Sequence, residues 1–184
     1  MTRLLPQDPR NAAGSNKEIF DTLQKHLGMV PNMTRVMGNS PAVLKAYAQF
    51  SGAMGGGKLG PKLREQIALL TAENNACTYC LSAHSALGKL AGLTQDQMDG
   101  ARHGEASDPR TLAALTLAQA VIDTRGGISD ADFAAARRAG LTDAELAEVV
   151  GEVALNYFTN IFNRAFAVEV DFPRVEAHKH ASTH

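Results

Sequence analysis

The chain has 184 residues, of which 45% are hydrophobic and 20% are charged, values close to those of an average soluble globular protein. This length indicates one domain, or at most two small ones. Eighteen Lys and Arg residues against nineteen Asp and Glu residues leave a net charge of −1, which excludes the strongly basic surface that nucleic-acid binding normally needs. We therefore expect a globular protein without a nucleic-acid partner.

The sequence also carries information about compartment. Its first ten residues lack the apolar run of a secretory signal, and no stretch reaches the roughly 18 consecutive apolar residues of a membrane span. We therefore expect a cytoplasmic protein that does not associate with membranes. Its only two cysteines, Cys77 and Cys80, are too few to stabilise a small secreted fold by disulfide bonds. In the cytoplasm such a Cys-x-x-Cys pair is more often redox-active or metal-binding than structural.

The predicted elements of the first third are helices, each marked by start and stop signals. Ser15-Asn16-Lys17-Glu18 has the form of a capping box and predicts a helix that ends at Gly28. Pro31 fits the first turn of a second helix, and a third begins at Ser40. The glycine-rich run of residues 52–60 predicts a loop or a frayed helix end.

The remaining elements are also predicted to be helices. Pro61 starts one helix, and the next begins near the cysteines and ends at Gly92. Thr94 and Thr142 each open a capping box that follows an identical Ala-Gly-Leu-Thr joint, and Asp108 starts a helix between them. The last long helix is marked by apolar residues at helical spacing: Leu146, Val149, Val150, Val153, Tyr157 and Ile161.

These patterns define the fold class and its boundaries. Only residues 167–171 show a weak strand pattern, and an aromatic content of 5% with no Trp suits closely packed helices. We therefore predict an all-α fold of roughly eight helices in one domain. The helical domain would span residues 15–172, between an N-terminal arm at residues 1–14 and a disordered tail at residues 173–184.

One segment, Cys77-Thr78-Tyr79-Cys80-Leu81-Ser82-Ala83-His84, carries residues suited to redox chemistry. If it is helical, both cysteines and His84 share one face. The first turn of a helix favours a thiolate, which is the reactive form of a cysteine. A histidine one turn later can accept the thiol proton, and the second cysteine can trap an oxidised partner as a disulfide.

Three other readings of this segment compete. Two buried cysteines in an alanine-rich helix behave as small hydrophobic residues. A structural zinc site needs four ligands, and the chain has no second Cys-x-x-Cys or matching His pair. A thioredoxin-like pair follows a strand in a βαβ unit, whereas helices flank this one. We favour an all-helical thiol redox site that uses no metal and no cofactor.

Glu65, on the preceding helix, is a candidate fourth member of the site. It shares a helix face with Leu69 and Ala72, and a carboxylate in such an apolar window can relay protons to a nearby imidazole. The alternative is a surface glutamate beside Arg64. The spacing alone leaves the two readings open.

Glu65, Cys77, Cys80 and His84 together have the spacing Glu-x11-Cys-x2-Cys-x3-His. This pattern resembles the signature of alkylhydroperoxidase D-like proteins, which belong to the carboxymuconolactone decarboxylase superfamily. The resemblance covers roughly residues 15–170. Three further segments resemble features of the superfamily's peroxidase-related branch: Val30-Pro31-Asn32, Leu63-Arg64-Glu65 and Asn163-Arg164.

The resemblance implies an alkylhydroperoxidase-like helical bundle that reduces hydroperoxides in antioxidant defence. It implies that Cys80 is the attacking thiolate and Cys77 the resolving, solvent-side partner, with His84 and Glu65 as the proton relay. It also implies a homo-oligomer, as a dimer, trimer or hexamer, and an external electron donor. This donor would be a dithiol of the lipoyl or thioredoxin type.

Tyr79 is a departure from the family pattern. The best-known member carries a histidine just before the second cysteine, where this chain has tyrosine. A tyrosine forms hydrogen bonds but does not buffer protons near neutral pH. An alternative function therefore stays open, in which the same pair is the slow disulfide switch of a redox sensor or interaction protein.

Overall fold

The regular secondary structure of residues 2–178, which the computed structural model describes, consists of α-helices and one short 3-10 turn, with no β-strand. This confirms the predicted all-α class. The region contains nine α-helices rather than roughly eight: α1 (Gly14–Leu27), α2 (Asn32–Met37), α3 (Pro41–Gly55), α4 (Pro61–Asn74), α5 (Thr78–Leu90), α6 (Gln95–Arg102), α7 (Pro109–Thr124), α8 (Asp130–Arg138) and α9 (Asp143–Ala165).

Some helices begin where a local capping motif predicts, and one begins where tertiary contacts determine. Both capping boxes, at Thr94 and Thr142, form as predicted. The box predicted at Ser15 is wrong, because Ala13, two residues earlier, is the N-cap of α1, and Ser15 lies within the first turn. The buried Asn16 side chain donates hydrogen bonds to Gln7 Oε1 and to the carbonyl of Gly38. These tertiary bonds, rather than a side-chain cap, fix the start of the helix.

The glycine-rich segment divides between a helix and a loop. α3 continues through Gly52 to Gly55, so the helix runs further into this segment than the sequence suggests. The loop that follows is tied to α9 by Glu148, whose carboxylate accepts hydrogen bonds from the backbone N–H groups of Lys58 and Leu59, both at 2.7 Å. The loop is therefore anchored beside the helix that carries several polar residues of the site.

α4 lies at the centre of the bundle and packs against α5, α6, α7 and α9. Nine of its fourteen residues are buried. Leu69 and Ala72 belong to one apolar cluster, shared with α1, α2 and α5, while Ile67 and Leu70 belong to a second, shared with α7, α8 and α9. Within the described region no helix has the length and apolarity needed to cross a lipid bilayer.

Beyond α9, residues 168–178 form no regular secondary structure, and the last of them contact α4 and α5. Residues 167–171 form no strand. Residues 171–178 lie across α4 and α5, where the Val175 N–H donates to Ser82 Oγ at 2.9 Å and the His178 N–H donates to Glu73 Oε1 at 2.7 Å. The rest of the predicted tail, residues 179–184, lies outside the described part of the chain, as does Met1.

Candidate functional site

The two cysteines lie where α4 ends and α5 begins. Ala76 adopts a left-handed φ of 47°, and Cys77 follows as the N-cap of α5. The Cys77 N–H donates to the carbonyl of Ala72 at 2.9 Å, and Cys77 Sγ accepts a hydrogen bond from the Cys80 N–H at 3.3 Å. This turn places Cys77 just before the first turn of α5 and Cys80 inside it.

Cys77 and Cys80 form a disulfide, the oxidised state of the pair. Both are buried, with exposed fractions of 1% for Cys77 and 3% for Cys80. The resemblance implied a solvent-side position for Cys77, and this assignment stays a prediction. Cys77 lines an open cleft whose walls include residues 167–170 and Arg174, whereas Cys80 lines a separate cavity.

The position of Cys80 favours its ionised form. Cys80 is the third residue of α5, where backbone N–H groups lack partners within the helix. The positive end of the helix dipole lies at the same place, so a thiolate released from the disulfide meets a favourable electrostatic environment.

Glu65 and His84 are brought together by the packing of α4 against α5. Their Oε2 and Nδ1 atoms lie 2.8 Å apart, and both side chains are largely buried. The reading of Glu65 as a surface residue is therefore excluded. Because Glu65 engages Nδ1, Nε2 is the nitrogen with which His84 can accept or deliver a proton.

A second buried carboxylate lies in the same site and was not found from the sequence. Arg64 Nε donates a hydrogen bond to Glu152 Oε1 at 2.8 Å. Burial raises the pKa of Glu152 above its usual range, although the Arg64 guanidinium acts in the opposite direction. The site thus holds two carboxylates, one paired with a histidine and the other with an arginine.

Four polar residues of α9 line the site, and their spacing in the sequence is the feature that could have indicated them. Glu152, Asn156, Thr159 and Asn163 recur at steps of four, three and four, and all four are buried along the cavity. Polar residues at helical spacing usually mark a solvated face. Here the outward face carries apolar residues instead, so the polar row points inward.

These elements surround a cavity of about 300 Å³. Cys80, Glu65, His84, Glu152 and Asn163 all line it. Five apolar side chains from four parts of the chain supply much of the remaining wall: Leu23, Leu27, Leu87, Leu155 and Phe172. A cavity with apolar walls and a few convergent polar groups is typical of a small-molecule site.

Tyr79 holds the structure around the cysteines. Its hydroxyl accepts a hydrogen bond from the Met33 N–H at 3.1 Å, and Phe172 packs edge-on against its ring. Burial raises the pKa of Tyr79 well above its ordinary value, so the hydroxyl stays neutral. Tyr79 therefore replaces the family histidine with a group that bonds but does not exchange protons near neutral pH.

Asn163, which the sequence indicated only as a family feature, contacts the redox pair. Its side-chain Nδ2 lies 3.3 Å from Cys80 Sγ and 3.2 Å from Met33 Sδ, and it donates to both sulfur atoms. Asn163 is thus the described side chain that joins α9 directly to the attacking cysteine predicted from the sequence.

Comparison with known proteins gives one family and several structural relatives. Residues 41–123 match the model of the carboxymuconolactone decarboxylase family. The structure is similar to that of the alkylhydroperoxidase AhpD core of an uncharacterized peroxidase-related protein from Ralstonia eutropha JMP134, with a TM-score of 0.82, 23% identity and 92% coverage of both chains. An uncharacterized peroxidase-related protein from Silicibacter sp. TM1040 gives a TM-score of 0.79, 23% identity and 91% coverage of both chains.

A third relative has a described activity. The debrominase Bmp8, as a cysteine-to-alanine variant in complex with 2,3,4-tribromopyrrole, gives a TM-score of 0.79 and 21% identity, covering 93% of this chain and 92% of its own. At such identities these likenesses extend to the fold alone. No curated protein sequence matches the chain.

The fold and the site together define an all-helical protein with a thiol–disulfide pair at the start of a buried helix. The fold is that of the AhpD-like proteins, over more than nine-tenths of the chain. The chain thus resembles the AhpD-like proteins in fold, and residues 41–123 match the carboxymuconolactone decarboxylase family model.

Proposed function

We propose that this protein is a dithiol-dependent peroxidase that reduces hydroperoxides, with a role in cytoplasmic antioxidant defence. The observation that carries the proposal is the convergence of three side chains on one cavity. Cys80 of the Cys77–Cys80 disulfide lines this cavity together with the hydrogen-bonded Glu65–His84 pair. A nucleophile that can be oxidised and reset is thereby placed beside a group that can move protons.

The first half-reaction consumes the hydroperoxide. The Cys80 thiolate attacks the terminal peroxide oxygen, the O–O bond breaks, and Cys80 becomes a sulfenic acid. The departing alkoxide takes a proton from His84 and leaves as an alcohol. Glu65 orients the imidazole and stabilises its charged form before this transfer.

The second half-reaction forms the disulfide and then resets it. The Cys77 thiol attacks the Cys80 sulfenic sulfur, the S–S bond forms and water leaves. An external dithiol of the lipoyl or thioredoxin type then reduces this disulfide by two exchange steps and becomes a disulfide itself. Over one cycle, hydroperoxide and dithiol are converted to alcohol, water and the oxidised donor.

Steady-state turnover tests this proposal against the sensor alternative. The pre-reduced protein is mixed with tert-butyl hydroperoxide and an excess of dihydrolipoamide, and loss of peroxide is followed over time. We expect many equivalents of peroxide to be consumed per protein chain, well above the rate with dihydrolipoamide alone. A single equivalent, followed by a stable disulfide in the presence of donor, would contradict the peroxidase and favour the sensor.

The protein is also proposed to be a homo-oligomer, and α9 supplies the supporting feature. Its outward face carries the apolar side chains Val150, Phe158 and Ile161, which are 39%, 38% and 59% exposed. Ala154 lies between them on the same face at helical spacing. Apolar side chains aligned along one exposed helix face are typical of a contact with a second helix.

A further inference from the structure

Two hydrogen bonds link the turn before Cys77 to two residues of α9 that lie one helical turn apart. Asn75 Nδ2 donates to Asn160 Oδ1 at 3.0 Å, and Arg164 Nη1 donates to the carbonyl of Asn75 at 2.7 Å. Asn163 lies between these two α9 residues in sequence. These two hydrogen bonds therefore fix the position of the Asn163 side chain relative to Cys80.

The Asn163 amide directs its hydrogen bonds to sulfur. Its side chain is buried, with 3% exposure, and Nδ2 donates to Cys80 Sγ and Met33 Sδ. Within residues 2–178, its Oδ1 atom is buried and accepts no hydrogen bond. A buried amide with an unsatisfied oxygen is costly compared with an apolar side chain of the same size. The amide N–H groups directed at Cys80 give a reason for this cost.

We propose that Asn163 stabilises the Cys80 thiolate by donating a hydrogen bond to Sγ. The amide group does not titrate, and hydrogen bonds to an ionised acceptor are stronger than those to a neutral one. The donor therefore favours the thiolate over the thiol, in addition to the helix N-terminus. It supplies a neutral donor at a site where Tyr79 keeps its proton.

The same hydrogen bond selects the sulfur that a reductant attacks. In thiol–disulfide exchange, the sulfur that is more stable as a thiolate leaves faster. A donor dithiol therefore attacks Cys77, the S–S bond breaks, and Cys80 leaves as the thiolate held by Asn163. The new disulfide joins the donor to Cys77, and Cys80 is released directly in its reactive form.

This inference uses the proposed function only for the choice of Cys80 as the attacking cysteine, and its test needs no peroxide. The test uses the Cys77→Ser protein, in which Cys80 is the one thiol, and adds Asn163→Leu or Asn163→Asp. The thiolate is titrated by its ultraviolet absorbance, and its reactivity is measured with iodoacetamide across the same pH range. A failed peroxidase assay would leave this titration unaffected.

At pH values below the pKa of Cys80, removing the donor should reduce the thiolate population about tenfold. One hydrogen bond to a charged group stabilises the ion by roughly the free energy of a tenfold change in the equilibrium. Asn163→Asp should reduce it at least as far, since a carboxylate accepts rather than donates. It also decides the test if Asn163→Leu fails to fold. Titration curves that match the parent in the folded variants would overturn the proposal.

Met33→Leu is the matched control, because it removes the other sulfur acceptor and leaves the amide to Cys80. The thiolate population should stay the same or rise. A decrease equal to that of Asn163→Leu would show that packing around Asn163, rather than its hydrogen bond, sets the titration, and would also overturn the proposal.

Discussion

Nδ1 of His84 and Oε2 of Glu65 lie 2.8 Å apart across the interface of α4 and α5. This contact engages Nδ1 with the carboxylate, so Nε2 is the nitrogen available for proton transfer in the cavity. Cys80 lies one helical turn before His84, and the sulfur, the imidazole and the carboxylate all line the same cavity.

Glu65→Gln should slow the oxidation of the reduced protein by tert-butyl hydroperoxide by about a hundredfold, the usual scale for losing acid–base assistance. The glutamine keeps the size of the side chain but not its charge, so the imidazolium loses its partner. Stopped-flow measurement of disulfide formation checks this. The exposed Glu18→Gln variant serves as control and should react as the parent does. Equal rates for the two variants would exclude a relay through Glu65.

The site illustrates what sequence spacing can and cannot provide. Cys80 and His84 lie on one helix, so their relation follows from helical geometry alone. Glu65 needed the family spacing, because its contact depends on how α4 packs against α5. Glu152 and Asn163 come from α9, roughly 80 residues later, and reach the site only through tertiary packing. No local pattern distinguishes their inward-facing polar row from a solvated one.

The helix ends follow the same division. The Thr94 and Thr142 boxes form because each cap and its partner lie three residues apart. Ser15 has the same local pattern, yet the tertiary bonds of Asn16 determine where α1 begins. The cleft beside Cys77 is likewise lined by a segment some 90 residues away.

Arg64→Met should lower the free energy of unfolding by about 3 kcal/mol, because it leaves Glu152 buried without its cation. Adding Glu152→Gln should recover much of this loss, since a neutral amide replaces the uncompensated charge. Urea denaturation of the parent, the two single variants and the double variant measures the coupling. Strictly additive losses would show that the pair does not act as a unit.

Stability at acidic pH should depend on Glu145. Hydrogen bonds from the Thr142 backbone and from Arg110 lower its pKa from 4.5 to about 2. A carboxyl with a depressed pKa in the folded state stabilises the fold above its unfolded pKa, and this contribution disappears as pH falls through the folded value. Parent stability should therefore decrease between pH 4.5 and about 2.

Glu145→Gln should remove that part of the pH dependence and lower stability at neutral pH. Thermal unfolding across the acidic range compares this variant with the parent, and Glu18→Gln should retain the parent's slope. A Glu145→Gln protein with the parent's acid profile would show that other carboxyl groups govern it.

Ile161→Glu should weaken the proposed oligomer, because it places a charge on the apolar face of α9. Light scattering coupled to gel filtration gives the mass of each species. Leu112→Glu is the control on another helix, α7, where an apolar side chain is 41% exposed. The parent and the control should share a mass that Ile161→Glu lowers. A monomeric parent would refute the oligomer.

In the proposed mechanism, Cys80 attacks the hydroperoxide and Cys77 resolves the product. The most direct measurement uses the pre-reduced Cys80→Ser and Cys77→Ser proteins, each mixed separately with an equimolar amount of tert-butyl hydroperoxide and no donor. The loss of peroxide is followed over time. Sulfenic acid is trapped with dimedone and located by mass spectrometry. Cys77→Ser should consume the peroxide and carry the trapped adduct on Cys80, whereas Cys80→Ser should consume none while retaining its fold. Undiminished peroxide consumption by Cys80→Ser would contradict this mechanism.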